Sequence, residues 1–113
     1  MISLSTFQLR EIERKDNFVD YDIYKDNHKI GILQIVEHLD HIFIRQIHIY
    51  KDFQRNGFGN KFMEEYLAFV KQNITLTIST HSISAKPFWM KFFKTHLYNY
   101  IQGDTYELIY KKQ

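Results

Sequence analysis

The residues whose types and spacing could do chemistry are Gln54-Arg55-Asn56-Gly57-Phe58-Gly59. Two glycines one residue apart can take backbone angles that a Cβ forbids, and they let a ligand lie directly against the main chain. If a helix starts here, its first amides lack internal partners and sit at the positive end of the helix dipole, which suits a phosphate or pyrophosphate. Arg55, Lys61 and the amide of Asn56 add positive charge and donors. Glycines also serve plain turns, so the wider frame decides. The dinucleotide fingerprint needs a third glycine, where this chain has Phe62, and the phosphate loop ending in Gly-Lys-Ser/Thr is absent.

Such a turn must be held by a strand before it and a helix after it, and the sequence predicts both between Ile42 and Gln72. Ile42 to Tyr50 alternates around β-branched and aromatic residues, as a half-buried strand does. Phe62, Met63, Tyr66, Leu67, Phe69 and Val70 recur at three- and four-residue spacing, which predicts an amphipathic helix running to about Gln72. Upstream, strands are expected over Ser5–Glu13, Phe18–Tyr24 and Lys29–Val36, separated by the short polar turns Glu13–Asn17 and Lys25–His28, an antiparallel meander. Downstream, Ile74–Thr80 alternates strictly and predicts a strand parallel to the central one, since a helix joins them. A second helix is expected from Ala85 to about Thr95, with Ser82 or Ser84 as N-cap. Strands over Leu97–Ile101 and Thr105–Lys111 then flank a Gln102-Gly103-Asp104 turn.

The frame Ile49-Tyr50-Lys51-Asp52-Phe53-Gln54-Arg55-Asn56-Gly57-Phe58-Gly59 resembles the acyl-CoA-binding motif of the GNAT superfamily of N-acetyltransferases. There a strand ends in an aliphatic residue, an acidic-aromatic bend follows, and Gln/Arg-x-x-Gly-x-Gly/Ala opens a helix. Ala85-Lys86-Pro87-Phe88-Trp89-Met90-Lys91-Phe92-Phe93 is similar to a later segment of the family, and Tyr106 to Lys112 closes the chain as members commonly do. The resemblance covers Phe18 to the C-terminus. It implies one GNAT-like acyl-CoA-binding domain over residues 1–113, of α+β class. The expected sheet is mixed and mostly antiparallel, in the order β-β-β-β-α-β-α-β-β, with two main helices packed on it. Most members insert two helices between the first and second strands, where only Glu13 to Asn17 is available here. An acceptor cleft that is unusually open, or closed by a partner chain, is therefore expected, which favours a macromolecular acceptor.

The implied reaction is direct attack of a primary amine, of a protein or peptide or alternatively of a small molecule, on the thioester of acetyl-CoA. The resemblance sets main-chain groups of Ile47, His48 and Ile49 along the pantetheine arm. It sets amides of Gln54, Arg55, Asn56, Gly57, Phe58, Gly59 and Asn60 on the pyrophosphate, with Ser82, Trp89 and Lys91 on the opposite wall. Members often carry Glu or His as proton acceptor where this chain has Phe43 and Arg45, neither of which is a base near neutral pH. Regular alternation would put His48 on the opposite face from Phe43, while His41 and Glu37 lie at the strand's far end. A water relay, or a substrate that brings its own deprotonated amine, is the other route. Trp89 stands where many members have a tyrosine that protonates the leaving thiolate, and Tyr98 and Tyr100 are near it in sequence. The alternative reading is a CoA-binding or interaction module that kept the fold without catalysis.

Composition agrees with an ordered domain. The chain has 113 residues, 44% hydrophobic and 17% aromatic, enough for one core but not two. A net charge of +2 is too mild to argue for nucleic acid, and it suits an anionic ligand such as CoA. There is no Cys, so disulfides, thiolate zinc sites and cysteine nucleophiles are excluded. The spacing of His38, His41 and His48 fits no usual zinc pattern, and no metal is expected. No stretch approaches the ~20 apolar residues of a membrane span, nor does the start read as a signal peptide. A cytoplasmic protein, monomeric or homodimeric, is the expectation.

Overall fold

The computed structural model describes residues 1–39, 41–70, 75–79, 99–102 and 106–111. Five antiparallel strands come first: β1 (Ile2–Ser3), β2 (Gln8–Lys15), β3 (Phe18–Lys25), β4 (His28–Glu37) and β5 (His41–Ile49). A single 3₁₀ turn (Lys51–Phe53) leads into α1 (Phe58–Phe69). Strands β6 (Thr75–Ser79), β7 (Asn99–Gln102) and β8 (Tyr106–Lys111) complete one sheet in the order β1-β2-β3-β4-β5-β6-β8-β7. The β5–β6 pair is parallel.

The order expected from sequence is corrected here. Five strands, not four, precede the helix, because Ile2–Ser3 pairs with Gln8 and Leu9 through a return that no alternation announces. The expected first turn at Glu13 is also displaced: β2 runs on to Lys15, and the chain turns at Asp16 in the left-handed region. Two main helices were expected, and the described residues contain one α-helix. The second, expected over Ala85 to Thr95, lies outside the described residues, and α1 itself ends at Phe69, short of Gln72.

The hairpins follow from local chemistry. Asp26 and Asn27 both have positive φ, as a two-residue type I′ turn requires, and this couples β3 to β4 in a fixed register. Alternation then puts Val19, Tyr21 and Ile23 of β3 and Leu33 and Ile35 of β4 on one face, where they are buried with Phe62, Met63, Tyr66 and Leu67 of α1. Phe7 is fully buried and meets Phe62 edge-on at 5.7 Å, so the chain just ahead of β2 is clamped under the helix. Each such side chain contributes roughly 1.5–3 kcal/mol by leaving water. The helix is thereby fixed on the sheet, and its N-terminus is fixed at the end of β5.

Candidate functional site

The site grows from a bulge. Gln34 pairs with Gln46 and Ile35 with Ile44, so Arg45 is an extra residue in β5. The bulge shifts the alternation by one. Ile42 and Ile44 before it, and Ile47 and Ile49 after it, all pack toward the α1 core, while Phe43, Gln46 and His48 share the other face with Val36, Gln34 and Ile32, their partners on β4. The regular alternation expected from sequence, with His48 opposite Phe43, is thus corrected by one inserted residue.

The same bulge marks where the described β5–β6 pairing ends. Among the described residues the parallel pairing of β5 with β6 runs from His41↔Thr75 to Ile44↔Ile78, whereas β5 continues along β4 to Ile49. The Tyr50 N–H donates to the Ile30 carbonyl at 2.8 Å, which sets the phase of the ladder. Residues 48 and 50 therefore turn their main-chain groups toward β4, and Ile47 and Ile49 turn theirs toward the open side. The register agrees: a Cβ on Gly31 would come within 2.2 Å of the His48 carbonyl oxygen. The Ile49 carbonyl is already occupied, accepting from Gln54 Nε2 at 2.8 Å. Among the described residues, the N–H and C=O of Ile47 and the N–H of Ile49 have no strand beside them, a strip of main-chain groups with which an amide can pair.

Beyond the strip lies the turn. Arg55 (φ 66°) and Gly57 (φ 72°) both take left-handed conformations, so the backbone reversal rests on one glycine and one arginine rather than on both glycines; Gly59 is already helical. Gly57 is the N-cap of α1, no side chain caps the helix, and its first turn holds no acidic residue. The Lys61 N–H reaches the Gly57 carbonyl at 3.0 Å, which leaves the amides of Phe58, Gly59 and Asn60 as first-turn donors without an intrahelical acceptor. Asn56 Nδ2 turns inward, 3.4 Å from the Phe53 and Gln54 carbonyls. Lys25 of the neighbouring hairpin places Nζ 5.4 Å from the centre of the Phe58 ring. Its charge is already met by Asp26 Oδ2 at 2.9 Å, so the first-turn amides are what a bound anion would meet.

The candidate proton acceptors are scattered. Glu37 is bound by Arg14, whose guanidinium also holds Glu11, and these two carboxylates push the Arg14 pKa further up. His41 stacks on His38 at 4.3 Å at the β4–β5 turn. His48 is exposed and meets Tyr50 edge-on at 5.8 Å. Tyr66 is buried beneath the sheet, where desolvation pushes its hydroxyl pKa up and keeps it neutral. Tyr98, Ser82, Trp89 and Lys91 lie outside the described residues. No group of three or more His, Asp or Glu able to hold a metal ion occurs among the described residues, and no helix among them is long and apolar enough to cross a membrane. Sequence reasoning missed the bulge. The signal was present in the spacing of Ile42 and Ile44 against Ile47 and Ile49, a phase slip across the adjacent polar pair Arg45-Gln46.

Comparison with known proteins gives the arrangement a setting. Residues 3–93 match the model of the Acetyltransferase (GNAT) family. No curated protein matches the chain. Among solved structures, a GNAT family acetyltransferase from Elizabethkingia anophelis with acetyl-CoA bound superposes with a TM-score of 0.64 at 13% identity, covering 96% of this chain and 99% of that one. A Bacillus subtilis acetyltransferase in complex with CoA gives 0.61 at 14%, with the same coverages of 96% and 99%. An acetyltransferase from Thermus thermophilus gives 0.69 at 14%, covering 87% of this chain, which spans 66% of the longer protein, just under two thirds. At these identities the likeness is one of fold.

Proposed function

The chain belongs to the GNAT acetyltransferase family, and from that footing we propose that it moves an acetyl group from acetyl-CoA to a primary amine of a protein or peptide, by direct attack. The observation that carries this reading is the continuity of two features: the open main-chain edge at Ile47 and Ile49 runs straight into an uncapped helix N-terminus flanked by Arg55, Lys61 and Lys25. An amide-bearing arm that ends in a pyrophosphate fits that path in both shape and charge. Acetyl-CoA supplies the activated acyl group. The chain's own part is to pair the arm through Ile47 and Ile49, to hold the pyrophosphate on the amides of Gly57 to Asn60, and to keep the turn shaped through the Gln54–Ile49 hydrogen bond. The family frame assigns the facing wall to Ser82, Trp89 and Lys91, which lie outside the described residues.

His48 is the side chain we assign to proton acceptance, directly or through water, because the bulge turns it to the same face as Phe43 and a neutral imidazole carries an acceptor nitrogen. Phe43 and Arg45, at positions where a base is common in the family, favour a second reading: a CoA-binding or interaction module without transfer. One experiment separates the two. Purified protein is incubated with acetyl-CoA and a panel of free-amine peptides and small amines, following thiol release and acetylated product together. Matched release and product support the transferase; saturable CoA binding with no product on any amine leaves the module.

A further inference from the structure

On the sheet face away from α1, the exposed imidazole of His48 is linked to a buried carboxylate by a chain of contacts. Asp22 is buried, its side chain 10% exposed, and among the described residues its Oδ1 has no hydrogen-bond partner. Lys29 Nζ stands 3.1 Å from that oxygen. A carboxylate out of water is costly without a counter-charge, so the pair holds an otherwise flexible lysine head in one place. The same Nζ lies 5.7 Å from the centre of the Tyr50 ring, within cation–π range. The Tyr50 ring in turn meets the His48 ring at 5.8 Å and 65°, an edge-to-face contact. The Tyr50 main chain is fixed as well, since its N–H donates to the Ile30 carbonyl and its carbonyl accepts from the Phe53 N–H, both at 2.8 Å. The register explains the route. Asp22, Ile32 and His48 pair in one row across β3, β4 and β5, so Ile32 stands between the carboxylate and the imidazole. Two strand spacings, about 9.5 Å, separate those strands, and the link passes around Ile32 through Lys29 and Tyr50.

We propose that Tyr50 is a positioning residue that holds the His48 imidazole in one rotamer, and that Asp22 and Lys29 hold the Tyr50 ring in place for that task. The inference rests on the transferase reading, in which His48 accepts the proton, and deepens it by naming what aims the acceptor nitrogen. An exposed histidine with nothing beside it spreads over three staggered χ1 wells and a roughly two-fold χ2. A nitrogen that takes a proton, from the amine or from a water, must lie within hydrogen-bond reach of it, which about one in six of those arrangements meets. The β4 residue directly across from His48 is Ile32, whose apolar side chain cannot hydrogen-bond the imidazole. The aromatic wall beside it therefore does the orienting, and the cation against that ring keeps the wall from swinging away. Asp22 and Lys29 act on the reaction through Tyr50 and touch neither reactant.

The rotamer is read directly, from the three-bond NMR couplings that join the His48 backbone nitrogen and carbonyl carbon to its Cγ, with the His48 signals identified by their loss in His48→Gln. The wild-type protein is expected to show a single χ1 rotamer. Tyr50→Leu removes the ring, and the double variant Asp22→Asn with Lys29→Met removes both charges together, so that no buried carboxylate is left alone. Both are expected to average the rotamer, whereas Tyr50→Phe keeps the ring and should keep the single rotamer. Turnover of an accepted amine should follow the same pattern. The two averaging variants should lose about threefold to sixfold in kcat, the statistical cost of one arrangement among about six, with the KM for acetyl-CoA unchanged, and Tyr50→Phe should match the wild-type protein. An averaged His48 in the wild-type protein, or a single rotamer that survives in Tyr50→Leu, overturns the positioning role. A single rotamer that survives in the double variant overturns the part given to Asp22 and Lys29, and a kcat indifferent to averaging overturns the link to the reaction. A rotamer that both variants release, in a protein that acetylates nothing, upholds the hold on the imidazole and removes the transferase reading.

Discussion

Single residues decide whether the site exists. Gly31 is required by proximity rather than by its own dihedral angles, since a Cβ there would lie 2.2 Å from the His48 carbonyl oxygen and 3.1 Å from the Ile49 Cα. Both neighbours are backbone and cannot step aside without breaking the β4–β5 ladder that positions the open edge. Gly31→Ala is therefore expected to cost about 2 kcal/mol or more, read as a lower urea midpoint; a wild-type midpoint would mean that the strands do not approach this closely. Gly57 is the opposite case. Nothing lies within 4 Å of its notional Cβ, and the glycine is favoured by φ of 72° alone. That Gln54 to Gly59 forms the turn into a helix was legible in the sequence, because a glycine pair between an alternating run and a three- and four-residue repeat marks such a junction. That the second left-handed residue would be Arg55 was not legible, because local propensity disfavours it by about 1–2 kcal/mol and only the surrounding packing holds it.

At the scale of elements, hydrophobic period located β3, β4, β5 and α1, because each buries one face in a single core and so must alternate or repeat. Where no face is buried, the signal vanishes. The two-residue β1 carries no period, and the charged end of β2, Glu13 to Lys15, just past the bulge between Glu11 and Glu13, reads as turn rather than strand. The α1 helix also organises the N-terminal chain through a group that sequence did not single out. Glu65 Oε1 accepts the Thr6 N–H at 2.6 Å and the Phe7 N–H at 3.3 Å, across more than fifty residues. Removing the acceptor leaves those two amides without it. Glu65→Ala should cost about 1–3 kcal/mol and speed hydrogen exchange at Thr6 and Phe7, with Glu65→Gln milder because its amide oxygen still accepts. Unchanged exchange at both amides would show that the hydrogen bonds do not hold the segment.

For the whole molecule, the architecture expected from sequence needed revision where tertiary pairing, not local pattern, sets the answer. The count of strands before the helix and the phase of β5 both depend on register, which one inserted residue resets. This bears on the proposed site, because among the described residues the bulge at Arg45 coincides with the end of β5–β6 pairing and leaves a gap beside β5 that leads to a helix N-terminus. The central claim is that this gap and this turn together hold acetyl-CoA. It is tested most directly by calorimetric titration and thermal unfolding with acetyl-CoA, for the wild-type chain, Gly57→Glu and Gly57→Asn. The glutamate puts a negative charge where the pyrophosphate would lie, and the asparagine tolerates the same left-handed backbone without that charge. The account predicts saturable binding by the wild-type chain. At about a hundred times the dissociation constant, the ligand should add about 2.7 kcal/mol and raise the unfolding temperature by on the order of 10 °C. Gly57→Glu should unfold several degrees below the wild-type temperature without ligand, because a Cβ at φ of 72° is strained, yet neither bind nor shift further with ligand, and Gly57→Asn should keep most of the binding. Absence of binding by the wild-type chain, or binding that Gly57→Glu leaves intact, would contradict it.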